Sequence, residues 1–168
     1  VEFGMMQAAA AQLAHRYQVP IYGSGGMTDS KLPDAQAAYQ FTLNALPLSL
    51  AGANMIFGAG GIDSGLAFDY AKLIMDHECI CHIRKMLEGV RVDSETMALD
   101  LIHEIGPGGT FLTHDHTLER TRTQSVAKLF DRQTRKAWME SAAGKKSPLN
   151  ILKRAAEWAL AELKGDIP

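Results

Sequence analysis

Two glycine-rich turns carry the residues of this sequence that are best placed to do chemistry. The first, Gly23–Gly26, is followed by the charged residues Asp29 and Lys31, and the second is Gly58–Gly61. Each turn follows a short apolar run and precedes a long helical pattern, which indicates two successive strand–turn–helix units. In parallel β/α folds the loops after the strands lie together at one end of the sheet, where function is found. We therefore expect both turns at the same end of a sheet.

Aromatic residues stand at equivalent places before the two turns. Tyr22 precedes the first turn and Phe57 the second. An aromatic face at a strand end attracts a quaternary ammonium group by about 0.5–2 kcal/mol per contact. Core packing is the alternative, and the helical placement of Tyr39 and Phe68 favours it for those two residues.

The charged and glycine residues of the turns also have two interpretations each. Asp29 and Lys31 are candidates for substrate contacts, but Asp29 can equally help to cap the next helix. Backbone N–H groups of glycine turns can hold phosphate, yet neither turn has the spacing of a dinucleotide fingerprint or a P-loop. The stretch 58–63 comes near the dinucleotide pattern but ends in Asp63. Tight turns and close backbone approach are the other use of glycine.

The histidines and cysteines do not complete a metal site. His114 and His116 have the i, i+2 spacing of two ligands on a loop, but no third ligand stands nearby. A structural or substrate-facing loop role is favoured for them. His77 and Cys81 share one helix face, and a packed or surface role is favoured there. We expect no metal.

The hydrophobic pattern predicts α/β architecture with helical segments at both ends. Helices are expected over 4–17, 33–51 with a kink or an interruption at Pro47, 66–88, 93–105, 118–142 and 149–164. Short strands are expected over 19–22, 52–57 and 110–113, and a connector over 144–148. The predicted buried positions on the two longest apolar faces are Leu66, Tyr70, Leu73, Ile74, Ile80, Ile83, Leu87, Leu152, Ala156, Leu160 and Leu163.

Composition excludes several classes of partner. The chain has 168 residues, 46% of them hydrophobic, with a formal net charge of −2. This balance gives no general attraction to nucleic acid or to an anionic membrane, and no apolar run is long enough to span a bilayer. Cys79 and Cys81, two residues apart, point to different faces of a helix and cannot easily bridge each other, which favours a reducing, cytoplasmic setting. The start at Val1, inside a helical pattern, suggests part of a longer protein.

Three stretches together carry a family resemblance: residues 25–36, residues 50–61 and residues 106–118. They include the strings D-S-K-L-P-D-A-Q and G-P-G-G-T-F-L-T-H-D-H-T. In these strings the chain resembles the trimethylamine methyltransferase family, which also contains glycine betaine methyltransferases. The resemblance covers nearly the whole chain. It implies the C-terminal part of a TIM (β/α)8 barrel over residues 1–125, with a C-terminal helical extension over 126–168.

The resemblance also implies a reaction. Members move a methyl group from a quaternary or tertiary amine to the cobalt of a separate corrinoid protein, so the corrinoid cofactor arrives on a partner. The trimethylamine enzymes carry pyrrolysine within or beside the first turn, where this chain has ordinary residues from Gly25 to Asp29. A betaine-type substrate is therefore expected. A trimethylamine-specific enzyme, a non-enzymatic module that binds a cationic osmolyte and a phosphate-binding barrel enzyme are the alternatives.

Candidate roles follow from position in the expected barrel mouth. Tyr22, Phe57 and Asp29 are expected to hold the cation, and Lys31 to hold a substrate carboxylate. His114 or His116 is expected to contact substrate or the corrinoid. The loops expected to face the corrinoid contain Gly25, Gly26, Met27, Gly60 and Gly61. An incomplete barrel leaves open sheet edges, and we expect a homo-oligomer.

Overall fold

The computed structural model describes residues 1–124, 128–142 and 151–165. These residues are mostly helical and contain two small sheets, which confirms the α/β class. They form two compact units: Val1–Leu87 with the described part of Ala127–Pro168, and the described part of Glu88–Val126. The predicted division near residue 125 stays a prediction. Among the described helices, none combines the length and the apolar character that crossing a bilayer requires.

The first unit contains five helices and four short strands among its described residues. The helices are α1 (Glu2–Tyr17), α2 (Ala35–Leu50), α3 (Tyr70–Leu87), α7 (Arg135–Ala142) and α8 (Ile151–Lys164). The strands are β1 (Tyr22–Ser24), β2 (Met55–Phe57), β3 (Gly61–Ile62) and β4 (Ala67–Phe68). The second unit contains α4 (Ser94–Met97), α5 (Leu99–Ile105) and α6 (Asp115–Arg122).

Strands β1 and β2 are parallel and in register, with Tyr22 opposite Met55 and Ser24 opposite Phe57. Since each strand is followed directly by its glycine turn, both turns lie at the same end of the sheet, as predicted. Each strand has three residues, fewer than expected, and the predicted bounds of 19–22 are wrong for the first strand, because β1 begins at Tyr22 and continues to Ser24. A barrel is not formed by the described residues, because their parallel sheet has two strands. The predicted strand over 110–113 is wrong, since those residues adopt irregular and turn conformations.

Helix α2 begins at the Asp34 cap, whose carboxylate accepts a hydrogen bond from the Ala37 backbone N–H at 3.0 Å. The cap lies one residue beyond Pro33. Of the two predicted effects of Pro47, an interruption is wrong, because α2 continues through it to Leu50, and a kink stays a prediction. A proline at this place leaves the carbonyl of Leu43 without its usual helical donor. Gly4 of α1 packs against that carbonyl, and a Cβ there would lie 2.6 Å from its oxygen.

Two hydrophobic clusters form the core of the first unit. One joins α3 to α8 through Ala71, Met75, Ala155 and Leu129, and the other joins α2 to α3 through Phe41, Ala45 and Ile83. Alanines at the α3–α8 contact let the two helices approach closely.

The predicted buried face of α3 is only partly right. Ile83 is buried, but Leu66, Tyr70 and Leu87 are exposed, and Leu66 precedes the helix. The ionisable side chains of Lys72, Asp76 and Glu78 are buried instead. In α8, Ala155 and Ala159 are buried while the predicted Leu160 and Leu163 are exposed.

The second unit departs from its predicted elements at two places. The helix expected over 93–105 is divided at Ala98, whose φ of 49° lies in the left-handed region. Asp93 caps α4 in a capping box with Thr96. The helix expected over 118–142 is replaced by α6 and α7, with residues 123–124 and 128–134 outside both. The predicted connector over 144–148 lies outside the described residues.

Candidate functional site

The two glycine turns contact each other through their backbones. The N–H groups of Gly25 and Gly26 both donate to the carbonyl of Phe57, at 3.2 and 2.9 Å. A Cβ at Gly26 would lie 2.6 Å from the carbonyl oxygen of Gly58 and closer still to the neighbouring backbone atoms. Glycine at position 26 therefore permits an approach that any side chain would prevent.

The other glycines expected to face a corrinoid are also used inside the protein. A Cβ at Gly25 would meet Ile56 at 2.7 Å, one at Gly60 would meet the Phe68 ring, and one at Gly61 would lie 3.0 Å from the Gly58 carbonyl oxygen. Gly25, Gly26 and Gly60 are buried, whereas Gly61 is half-buried. Packing thus accounts for the small residues, and their role toward a corrinoid stays a prediction.

A buried ion pair on α3 joins both turns. Lys72 is 1% exposed and Asp76 3% exposed, and the two side chains are in direct contact. The Lys72 ammonium donates to the carbonyl of Gly26 at 3.0 Å, and the Asp76 carboxylate accepts from the N–H of Gly60 at 2.8 Å. The ammonium also lies 5.1 Å from the centre of the Phe41 ring. Both charges are thereby paired within the protein.

Burial dominates the electrostatics of this pair. Desolvation raises the pKa of Asp76 to about 6, against the lowering effect of the Lys72 ammonium and the Gly60 N–H. The carboxyl group is ionised at neutral pH because this value still lies below 7. At the start of α2, hydrogen bonds from the Ala37 N–H and the Ser30 hydroxyl lower the pKa of Asp34.

Tyr22 and Phe57 form a stacked pair on the open face of β1 and β2. Their ring centres are 4.5 Å apart and their planes differ by 28°. The opposite face packs on α2, since a Cβ at Gly23 would lie 2.7 Å from Leu48. Tyr22 is 61% exposed, so a flat aromatic surface is available on this face of the two strands. The structure thus brings together the two aromatic residues predicted for the cation.

Asp29 and Lys31 belong to a separate hydrogen-bonded group that ties the first turn to the segment after the second. The two carboxylate oxygens of Asp29 accept from the Gln40 amide at 3.1 Å and from the Ser64 hydroxyl at 2.9 Å. The Lys31 ammonium donates to the carbonyl of Asp29 at 2.8 Å and lies 3.3 Å from the carboxylate of Asp63.

This group fixes both predicted binding residues in place. Both Asp29 and Lys31 are exposed. A lysine ammonium has three donors, so Lys31 retains one for a further acceptor. Asp29, but not Lys31, lines a cavity of about 310 Å³, whose polar wall also includes Gln40, Asn44 and Ser64.

The two predicted histidines lie in the second unit. His114 caps α6 by accepting the His116 backbone N–H at its Nδ1 atom, 3.2 Å away. The Nε2 atom of His116 is buried without a hydrogen-bond partner in the structure. In the first unit, His77 Nε2 lies 3.7 Å from Cys81 Sγ, which confirms their shared helix face. Across the residues described, no cluster of three metal-ligating side chains occurs.

Two aromatic residues predicted for the core are in fact exposed. Tyr39 faces solvent on α2, and Phe68 stands over Gly60 with an edge-to-face contact to Tyr70 at 5.4 Å. Sequence reasoning also missed the pair of Lys72 and Asp76. A lysine and an aspartate four residues apart usually mark a solvated helix face. Their one signal was position, in the first two turns of the helix that follows the second glycine turn.

Comparison with known proteins identifies close relatives. The family model for trimethylamine methyltransferase (MTTB) matches residues 2–164. A protein of Desulfitobacterium hafniense strain DCB-2 named trimethylamine methyltransferase MttB is 44% identical over 99% of this chain and 33% of its own length. A protein of the same name from Methanosarcina barkeri is 35% identical over 93% of the chain and 31% of its own length. A glycine betaine methyltransferase of D. hafniense strain Y51 is 36% identical over 82% of the chain and 29% of its own length. The chain thus spans about a third of the length of these relatives.

Proposed function

This chain belongs to the trimethylamine methyltransferase family, and from that membership we propose that the polypeptide carrying it is a corrinoid-dependent methyltransferase. It takes a methyl group from a quaternary or tertiary amine and delivers it to a corrinoid held by a separate protein. The observation that carries the proposal is the stack of Tyr22, the first residue of β1, on Phe57, the last residue of β2, which leaves the Tyr22 ring exposed on one face of the parallel pair.

An aromatic stack suits the charge of such a substrate. A trimethylammonium group is a bulky cation without N–H donors, so ring faces attract it where hydrogen-bond acceptors cannot. Loss of a methyl group leaves a neutral tertiary amine, so a quaternary substrate needs no proton donor. The contribution of this chain is then to orient the cation and to exclude water. When bound, the corrinoid supplies the cobalt nucleophile.

We infer that the corrinoid approaches the strand ends. Met27 and Gly61 are half-buried and are our candidates for contact with it, while the buried Gly25, Gly26 and Gly60 fix the backbone behind them. We also infer that β1 and β2 belong to a (β/α)8 barrel in the longer polypeptide, because each parallel strand is followed by a helix. The homo-oligomer and the cytoplasmic location stay predictions.

A betaine-type substrate is the first candidate. Positions 27–29 hold the standard amino acids Met27, Thr28 and Asp29. The trimethylamine enzymes of the family carry pyrrolysine within or beside this turn. Lys31 retains one N–H donor for a substrate carboxylate. Trimethylamine is the second candidate, favoured by the 44% identity to a protein named for it.

The test is a methyl-transfer assay with the complete polypeptide and a corrinoid protein. Glycine betaine and trimethylamine are supplied separately, and Tyr22→Leu and Phe57→Leu are compared with Tyr39→Leu, a matched exposed aromatic on α2. Loss of one cation–π contact worth about 0.5–2 kcal/mol weakens amine binding roughly 2- to 30-fold. The Tyr39 variant should bind like the unaltered protein.

The outcomes separate the candidates. Transfer from trimethylamine alone selects the second substrate. No transfer from either amine refutes the proposed function, and unchanged amine binding in both aromatic variants removes the stack from the site.

A further inference from the structure

Hydrogen bonds run without interruption from the first glycine turn to the second through two side chains of α3. The carbonyl of Gly26 accepts from Lys72, Lys72 contacts Asp76, and Asp76 accepts from the N–H of Gly60. The two side chains stand one helical turn apart on the same face. Helix α3 therefore links the two turns through its side chains, in addition to the direct contact between their backbones.

Ordinary fold stability does not explain two charges at this place. Removing an ammonium and a carboxylate from water costs several kcal/mol per ion, and well-packed apolar residues of similar volume are often as stable or more so. The surroundings are apolar as well, with the Phe41 ring 5.1 Å from the Lys72 ammonium. What the ion pair does that apolar side chains cannot do is hold two specific backbone groups, one in each turn.

We propose that Lys72 and Asp76 are positioning residues of the methyl-transfer site, which set the spacing of the two glycine turns. This inference rests on the proposed function. Neither side chain reaches the surface, so neither touches the amine or the corrinoid. They act through Gly26 and Gly60, whose turns begin where the strands carrying the aromatic stack end.

The experiment compares the unaltered polypeptide with the double variant Lys72→Met/Asp76→Leu, which removes both charges at once. The matched control is Lys136→Met/Glu140→Leu, an exposed i, i+4 pair on α7. We measure kcat for methyl transfer, the Kd for glycine betaine and trimethylamine, the urea midpoint, and amide hydrogen exchange over residues 24–27 and 57–61.

If Lys72 and Asp76 position the turns, the double variant should change kcat much more than the Kd for the amine. Misplacement of reacting groups by about 1 Å costs roughly 100-fold in rate. We therefore expect kcat to fall about 100-fold, with the amine Kd changed less than about 3-fold and faster exchange in both turns. A merely structural role lowers the urea midpoint and weakens amine binding in step with kcat. The control pair should leave all four measurements unchanged.

Two results overturn the inference: a folded double variant with unaltered kcat, or one with unaltered exchange in both turns. If the double variant does not fold, Asp76→Asn replaces it, since the amide keeps an acceptor for Gly60 while losing the charge that pairs with Lys72. If the unaltered protein transfers no methyl group, the proposed function has failed. Amide exchange in the double variant then tests only whether Lys72 and Asp76 link the two turns. Faster exchange in both turns supports the link, and unchanged exchange refutes it.

Discussion

The contact between the two turns predicts an unusually large effect of a single methyl group. In Gly26→Ala the new Cβ would lie 2.6 Å from the carbonyl oxygen of Gly58, with two further backbone atoms of the second turn closer. All three neighbours belong to the backbone, so no side chain can rotate away to make room. The turns must separate, which also lengthens the hydrogen bond from the Gly26 N–H to Phe57, now 2.9 Å.

The magnitude follows from comparison with two other glycines. Overpacking typically costs about 1–3 kcal/mol of stability. Because the obstacle at Gly26 is rigid backbone, we expect Gly26→Ala to lower the free energy of unfolding by about 3 kcal/mol. Gly89→Ala meets open space but has a φ of +70°, so it should cost about 1 kcal/mol through conformation alone. Gly165→Ala has ordinary contacts, the nearest at 3.4 Å, and should change stability by less than about 0.5 kcal/mol.

The assay is the free energy of unfolding of the three variants in urea, with amide exchange over residues 24–27 and 57–61. The expected order of destabilisation is Gly26→Ala, then Gly89→Ala, then Gly165→Ala, and only the first variant should exchange faster in both turns. A Gly26→Ala protein as stable as Gly165→Ala refutes the close packing of the turns.

Two further predictions concern other parts of the chain. Ala98→Gly should raise the free energy of unfolding by about 0.5–1 kcal/mol, because Ala98 has a φ of 49°, which glycine adopts without strain. Ala38→Gly, inside α2, should lower it by about 1 kcal/mol. Urea unfolding in which both variants change stability in the same direction would contradict this. The second prediction concerns pH: the pKa of Asp76 is raised by burial from 3.8 to about 6, so the folded state binds this proton more tightly, and the stabilisation present at low pH is lost as pH rises through 6. Between pH 7 and pH 5, the free energy of unfolding of the unaltered protein should rise by roughly 1 kcal/mol relative to that of Lys72→Met/Asp76→Leu, and a fall relative to the variant would contradict this.

The arrangement of the turns could be predicted because it depends on local order. A strand, a glycine turn and a helix, repeated twice, place both turns at one sheet edge whatever the rest of the chain does. Tyr22 and Phe57 were predicted to hold the same cation, and the structure brings their rings together. The starts of α1 and α2 were predicted to within two residues, whereas α3 begins four residues later than predicted.

The remaining elements depend on contacts that periodicity does not report. The hairpin of β3 and β4 has two residues in each strand, too few to show an alternating pattern. Residues 110–113 have an apolar composition typical of a strand, but no partner strand pairs with them among the described residues. On α8 the pattern favoured leucines as the buried residues, whereas close packing against α3 required alanines.

The buried face of α3 shows most clearly why the site could not be read from local sequence. Lys72 can leave water only if its ammonium finds partners, and one of them, the carbonyl of Gly26, lies 46 residues away. Asp76 meets its own partner, the N–H of Gly60, across 16 residues. Burial of α3 and closure of the two turns therefore depend on each other. A side chain at position 26 moves the carbonyl that satisfies Lys72, so the glycine and the lysine form one functional unit. The effects of Gly26→Ala and of Lys72→Met/Asp76→Leu should then be less than additive when the substitutions are combined.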